Sequence, residues 1–309
     1  MNFPVADAHC DFLYGMVNHG YDIEFPSGYQ VTSLTNFKKG NVALQFFACW
    51  TDMSLRIGPL HQCINMIEAF GRMLKAHPDT LCLFGHNFEP GQGKTACLLT
   101  IEGGEAIEGD PSVLRFLYDA GIRAMTFTWN ESNELSGAAM QKNHRGLTAL
   151  GKEILKEMNR VGIAMDLAHL SDAGIDDALA YSTQPVFASH SNARAVFNSK
   201  RSLTDDRIKA IADMGGVVCV NFYNKQLTNA SIAQLSDIAK QIIHIIKIGG
   251  IGCCGLGSDF DGMPIYPEGM PNASGYPALL ELLKREGLTD DEIYRVSYGN
   301  LAEYILHFI

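Results

Sequence analysis

The sequence predicts a (β/α)8 barrel of the TIM type. Eight apolar, strand-like runs alternate with helical patterns along 309 residues, and metal-ligand side chains recur at the C-terminal ends of those runs. That length is ordinary for an α/β barrel. No repeat, low-complexity tract or long linker divides it, so one barrel domain over residues 1–309 is expected. A doubly wound open sheet is the alternative, but the GxGxxG phosphate fingerprint is missing.

The strand-like runs are Pro4–His9, Val42–Trp50, Ala96–Glu102, Ile122–Trp129, Gly162–His169, Pro185–His190, Val217–Phe222 and Cys254–Asp259. Between them, helical patterns cover His61–Ala76, Pro111–Ala120, Thr148–Val161, Asp172–Tyr181, Asp205–Met214 and Ser231–Ile248. Tyr276–Glu286 and Asp290–His307 close the chain. Asp110-Pro111, Ser171-Asp172 and Thr289-Asp290-Asp291-Glu292 provide cap residues and early acids at helix starts. Gly121, Gly162, Gly215 and Gly287 supply stops. Residues 13–41, where the first barrel helix belongs, carry turn formers and little periodicity.

Hydrophobic residues make up 47% and charged residues 19%, the balance of a globular chain with a large core. The formal charge of −10 argues against nucleic acid or an anionic membrane as main partner. The apolar runs are too short and interrupted to span a bilayer, and residues 1–20 do not read as a signal peptide. Eight cysteines, with no CxxC pair, read as buried thiols in a reducing cytosol.

Reactive residues of such barrels sit at the C-terminal strand ends. Here those ends read His9/Asp11, Glu102, Trp129, His169, His190, Tyr223 and Asp259. If Val5 to Asp11 is extended, His9 and Asp11 share a side and Cys10 points away. An imidazole and a carboxylate aimed at one point make half a site for a divalent metal such as zinc. Glu102, before Gly103-Gly104, has two oxygens and can bridge two ions. His169 and His190 end consecutive strands, a pattern that packing explains poorly. Asp259 stands where a general base can work, whereas Asp261 reads as a turn residue. Gly262 lets the backbone approach a substrate. Arg201, in the loop after the sixth strand, could clamp a carboxylate with its planar fork. No Gly-x-Ser-x-Gly elbow is present, which disfavours a serine hydrolase.

Taken together, these residues resemble the membrane (renal) dipeptidase family of dinuclear zinc peptidases, in a bacterial-type cytosolic form. The likeness runs through Asp7-Ala8-His9-Cys10-Asp11, Gln45-Phe46-Phe47, Ile101-Glu102-Gly103-Gly104, Met158-Asn159-Arg160, Asp166-Leu167-Ala168-His169, Ser189-His190-Ser191, Val220-Asn221-Phe222-Tyr223 and Gly257-Ser258-Asp259-Phe260-Asp261-Gly262. The resemblance implies two zinc ions. One is held by His9, Asp11 and Glu102, the other by Glu102, His169 and His190, with a hydroxide bridging them. It further implies that Asp259 handles the proton, and that Arg201 holds the C-terminal carboxylate of a dipeptide near Tyr223 and Gly262. A homodimer is implied by the same analogy. One position departs: where the animal members carry a substrate-holding histidine after the fourth strand, this chain has Trp129. An indole donates one hydrogen bond but does not titrate. His144, in the following loop, is the candidate substitute.

The expected activity is therefore hydrolysis of dipeptides with a free C-terminal carboxylate. Two rivals stay open. One is an amidohydrolase-type reaction on an N-acyl amino acid, lactone or β-lactam. The other is a metal-holding barrel that binds peptide without turnover.

Overall fold

The computed structural model describes residues 3–142 and 145–309. Each of the eight predicted runs contains a strand: β1 (Val5–Asp7), β2 (Val42–Trp50), β4 (Thr95–Glu102), β5 (Ile122–Thr126), β6 (Ala164–Asp166), β7 (Val186–Ala188), β8 (Val217–Val220) and β9 (Cys254–Leu256). A short extra strand, β3 (Leu81–Leu83), pairs with the start of β4 and was not foreseen. All pairings between these strands are parallel. The order β2-β1-β9-β8-β7-β6-β5-β4 closes on itself through the β2–β4 pair, so the sheet is a barrel and not an open doubly wound sheet.

Side chains alternate across the barrel wall as the two-residue strand period demands. Leu44 and Phe46 of β2 and Ala96 and Leu98 of β4 pack inside, whereas Phe47, Cys49, Cys97, Leu99 and Ile101 face the helical layer. Alanines at 6, 8, 124 and 164 leave room within for the rings of Phe46 and Phe187. Leu301 and Ile305 of the C-terminal helix, and Phe308 just past its end, join this inner cluster. The register pairs Trp50 with Glu102, which brings the ends of β2 and β4 level.

The helices are α1 (Phe12–Asn18), α2 (Leu34–Gly40), α3 (Pro59–Ala76), α4 (Pro111–Asp119), α5 (Ala149–Val161), α6 (Asp172–Tyr181), α7 (Asp205–Asp213), α8 (Asn224–Leu227), α9 (Leu235–Gly249), α10 (Tyr276–Arg285), α11 (Asp290–Tyr294) and α12 (Asn300–Leu306). Thr148 and Ser171 accept hydrogen bonds as N-caps, and Gly162 takes the left-handed conformation after α5. Residues 13–41 do hold structure, namely α1 and α2, the latter capped by Ser33. Each spans only two turns, too short for periodicity to reveal. The pattern at 231–248 starts four residues later than expected, because a capping box between Gln234 and Asp237 sets the first turn at Leu235. The expected single helix 290–307 contains a π turn at Arg295–Gly299, after which Asn300 Nδ2 donates to the carbonyls of Ile251 and Cys254. Among the described residues no helix is long and apolar enough to cross a membrane. All eight cysteines are free.

Candidate active site

Except for β2 and β4, the strands end earlier than the apolar runs suggest; Glu102 is the last residue of β4, and the other ligand-type residues stand just beyond their strands. After β1 the alternation breaks. Ala8 packs inside the barrel, yet the neighbouring His9 also turns inward, while Cys10 joins the outer core. The extended run to Asp11 is thus not one strand: beyond Asp7 the chain keeps only an isolated bridge from Cys10 to Phe260. His9 and Asp11 still meet, Nε2 to Oδ2 at 3.5 Å. Asp7 underlies this bend by accepting from Ser258 N at 2.8 Å and Ser258 Oγ at 2.6 Å, which ties β1 to the loop after β9.

Glu102 ends β4 and sits at the centre. One oxygen, Oε2, lies 3.5 Å from His9 Nε2. The other, Oε1, lies 2.9 Å from His169 Nε2 and 3.5 Å from His190 Nε2. The two triads His9–Asp11–Glu102 and Glu102–His169–His190 each bring their ligand atoms within 4.8 Å of one another, and both are fully buried. The two share Glu102. A third grouping, His9–His190–Asp259, meets the same limit.

Hydrogen bonds set the imidazoles. Asn130 Oδ1 lies 3.2 Å from His169 Nδ1; as an acceptor there it leaves the Nε2 lone pair facing Glu102 and His190. Ser189 Oγ stands 2.7 Å from His190 Nδ1 in the same role. Asp166, at the end of β6, accepts from the backbone of Ala168 and Ser189, both at 2.9 Å, and so ties the two histidine loops together. His169 adopts a left-handed backbone with φ 67°, and Asp259 does so with φ 65°, a conformation uncommon for residues other than glycine.

The electrostatics suit a cation. Burial, then the Arg201 charge, lowers the His169 pKa to about 4. Burial and the His9 charge hold His190 well below its usual range, so both rings are neutral at pH 7. Burial also works against charge on His9, but Glu102 and Asp11 overcome it and raise its pKa well above normal. Without metal, a proton on His9 thus balances the carboxylates. His9 Nε2 and Asp11 Oδ1 are buried with no hydrogen-bond partner. Buried polar atoms rarely go unpaired, and once a cation replaces the His9 proton, the three imidazoles and the carboxylates make a donor set that fits divalent metal of the zinc type.

Above this cluster lies a cavity of about 550 Å³. Asp11, Glu102 and His169 reach it from below, and Arg201, Tyr223, Trp129, Asp259 and Gly262 all line it. Arg201 is 7% exposed, has no ion pair among the described residues, and its Nη2 makes no hydrogen bond. Burial depresses its pKa to about 10, still charged at neutral pH. Asp259 accepts from Asn221 Nδ2 at 3.1 Å, and burial pushes its pKa up to about 7. Asp261 clamps residues 31 and 32 by accepting from Val31 N at 2.7 Å and Thr32 N at 3.2 Å, in keeping with a turn role. Gly262 packs against the carboxylates of Asp11 and Asp259, so a side chain there would displace them. Trp129 packs edge-on against Trp50, with ring centroids 5.0 Å apart, and lies 6.3 Å from the His169 ring. His144 falls outside the described residues.

Asn130, Ser189, Asn221, Trp50 and Tyr14 belong to the site but were not singled out from sequence. The signal was adjacency for three of them: Asn130 follows Trp129, Ser189 precedes His190, and Asn221 lies two before Tyr223.

The sequence profile of the membrane dipeptidase family, peptidase family M19, matches residues 1–305. Dipeptidase 3 of Rattus norvegicus is 31% identical over 97% of this chain, which spans 64% of that relative's length. An uncharacterized dipeptidase of Schizosaccharomyces pombe is 32% identical over 93% of this chain and 71% of its own. Among solved structures, a metallopeptidase described as dipeptidase AC superposes with TM-score 0.91 at 25% identity, covering 100% of this chain and 99% of the other. A metallopeptidase from Rhodobacter sphaeroides, solved with a phosphinate mimic of the dipeptide L-Ala-D-Ala, has the same TM-score at 24% identity, with full coverage of both chains, and so shares the fold. A closed parallel barrel, two histidine–carboxylate triads sharing one glutamate, and these end-to-end matches lead to one assignment: the chain belongs to the membrane dipeptidase family, peptidase family M19.

Proposed function

We propose that this protein is a metal-dependent dipeptidase acting on dipeptides with a free C-terminal carboxylate. The observation that carries the reading is the placement of Glu102. Its two oxygens face His9 on one side and His169 and His190 on the other, beneath a cavity walled by a buried, unpaired Arg201. A neighbour of the same fold holds a phosphinate mimic of L-Ala-D-Ala, which points to the same class of substrate.

In this reading His9, Asp11 and Glu102 hold one zinc ion, and Glu102, His169 and His190 hold a second. When bound, the two ions supply Lewis acidity to the scissile carbonyl and lower the pKa of water. The chain's own residues do the rest. Arg201 pairs with the substrate carboxylate, flanked by Tyr223 and Gly262. Asp259, held by Asn221 and lifted towards neutrality by burial, takes the proton of the attacking water and returns it to the leaving amine. Asn130 and Ser189 keep the histidine rings in the binding tautomer. A cytosolic location is part of the reading, supported by eight unpaired cysteines.

The test is metal analysis of the purified protein joined to a substrate panel of dipeptides, N-acyl amino acids and lactones. Turnover of dipeptides above the other classes, with about two ions per chain, is the expected result. Turnover confined to acyl amino acids or lactones would replace this reading, and retained metal with no hydrolysis would make the barrel a binder.

A further inference from the structure

The two sides of the cavity differ in chemistry. Its charged lining residues other than Glu102 come from the segments after β1, β7, β8 and β9: Asp11, Arg201, Lys225, Asp259 and Asp261. The end of β2 contributes Trp50 and the segment after β5 contributes Trp129, Asn130 and Met140, none of them ionisable. In the ring of eight strands β2 stands four places from β7 in either direction. The aromatic side therefore begins across the mouth from the loop that carries Arg201.

That side is built as a surface. Tyr14, Trp50 and Trp129 form a row of edge-on rings, with centroids 4.7 Å and then 5.0 Å apart. Tyr14 Oη donates to Asp52 Oδ2 at 3.0 Å, which fixes the outer end of the row. The backbone N–H of Asp52 in turn donates to Gln62 Oε1 at 2.9 Å, anchoring it to α3. Trp129 stays 39% exposed and Met140 47% exposed, a large apolar area left open beside the candidate metal cluster.

We infer that this wall binds a large aromatic or aliphatic side chain on the amino-terminal residue of the dipeptide. The inference rests on the dipeptidase reading above. A dipeptide whose carboxylate meets Arg201 and whose scissile carbonyl lies over Glu102 has its amino-terminal residue directed away from β7, towards Trp50 and Trp129. Aromatic faces and edges reward an apolar or ring-bearing side chain there, and Trp50, Trp129, Asn130 and Met140 offer an acidic or basic one no opposite charge.

The test compares the zinc-loaded protein on Phe-Ala, Ala-Phe and Ala-Ala. The expected kcat/KM for Phe-Ala exceeds that for Ala-Ala by about ten-fold or more, with no such gain for Ala-Phe. Trp129→Ala is expected to erase this ratio, and Trp129→Phe to keep most of it. A ratio unchanged in Trp129→Ala, or a gain that follows the carboxyl-terminal residue, overturns the inference. Trp50 and Trp129 are the chain's only two tryptophans. Their fluorescence therefore reads binding without turnover, and Phe-Ala is expected to perturb it at about ten-fold lower concentration than Ala-Ala. If no dipeptide is hydrolysed, the dipeptidase reading fails and the titration alone decides this one: equal affinities overturn it.

Discussion

Gly262 and Asp11 lie so close that a Cβ on Gly262 would overlap the Asp11 carboxylate, and it would also come within 2.5 Å of Asp259 Oδ1. The glycine is needed less for the approach of a substrate than for the approach of these two acids. Gly262→Ala should leave the fold intact, because the residue is not in a left-handed conformation. It should move both carboxylates and lower metal affinity by about 10–100-fold, the scale for disturbing a ligand's support. Metal titration alongside circular dichroism checks this; unchanged metal affinity would show that the neighbouring loop yields instead.

Glu102 is the shared member of both triads. Glu102→Gln should weaken both metal positions together, since a neutral amide is a poor bridge, whereas His190→Ala should affect mainly one. Elemental analysis of metal-saturated protein should fall from about two ions per chain to below one in the first variant and to about one in the second. At most one ion in the native protein would remove the dinuclear arrangement.

Chelation should also cost stability. A metal held at 100 times its Kd adds about 2.7 kcal/mol to the folded state. The metal-free cluster meanwhile keeps His9 Nε2 and Asp11 Oδ1 buried and unpaired. Thermal melts with and without a chelator should differ by several degrees, and restored zinc should reverse the shift.

Arg201 is a buried guanidinium without an ion pair among the described residues. Arg201→Ala should raise KM and lower kcat/KM by about 2–4 kcal/mol, the range for truncating one partner of a buried charge pair. Dipeptide amides should be poor substrates of the native protein. Equal turnover of a dipeptide and its amide would take Arg201 out of this role.

The two aspartates after β9 should separate by function. Asp259→Asn should lower kcat by at least ~100-fold with metal content little changed. Loss of metal in that variant would instead make Asp259 a ligand, as its proximity to His9 and His190 allows. Asp261→Asn should act mainly on stability, because one of its two backbone hydrogen bonds, to Val31 and Thr32, loses its acceptor. A cost of about 1–3 kcal/mol in a denaturation curve is expected, with kcat largely kept.

The barrel was legible in the sequence because its strands are buried on both faces and read as continuous apolar runs, most of them followed by a helical pattern with a visible start or stop. The candidate ligand cluster was legible for a related reason: the His, Asp and Glu residues read from the strand ends do come together. Packing alone explains poorly why His9, Asp11, Glu102, His169 and His190 recur at or just past the ends of four strands of one barrel. The sequence also supplied the departure at Trp129.

Only the tertiary structure decided how these residues aim. The strands stop at Asp7, Asp166 and Leu256, earlier than their apolar runs, and His169 and Asp259, which reach the site, adopt left-handed backbone beyond them. Strand periodicity cannot anticipate such a turn, because its cost is met by contacts from other loops: Asn130 on His169 and Asn221 on Asp259. The aromatic wall was hidden for the same reason. Trp50 and Trp129 are 79 positions apart in sequence, and the closing pair β2–β4 together with the neighbouring pair β4–β5 brings their rings together. Composition and period report which face of an element is buried; barrel closure determines which buried or half-buried side chains share a site.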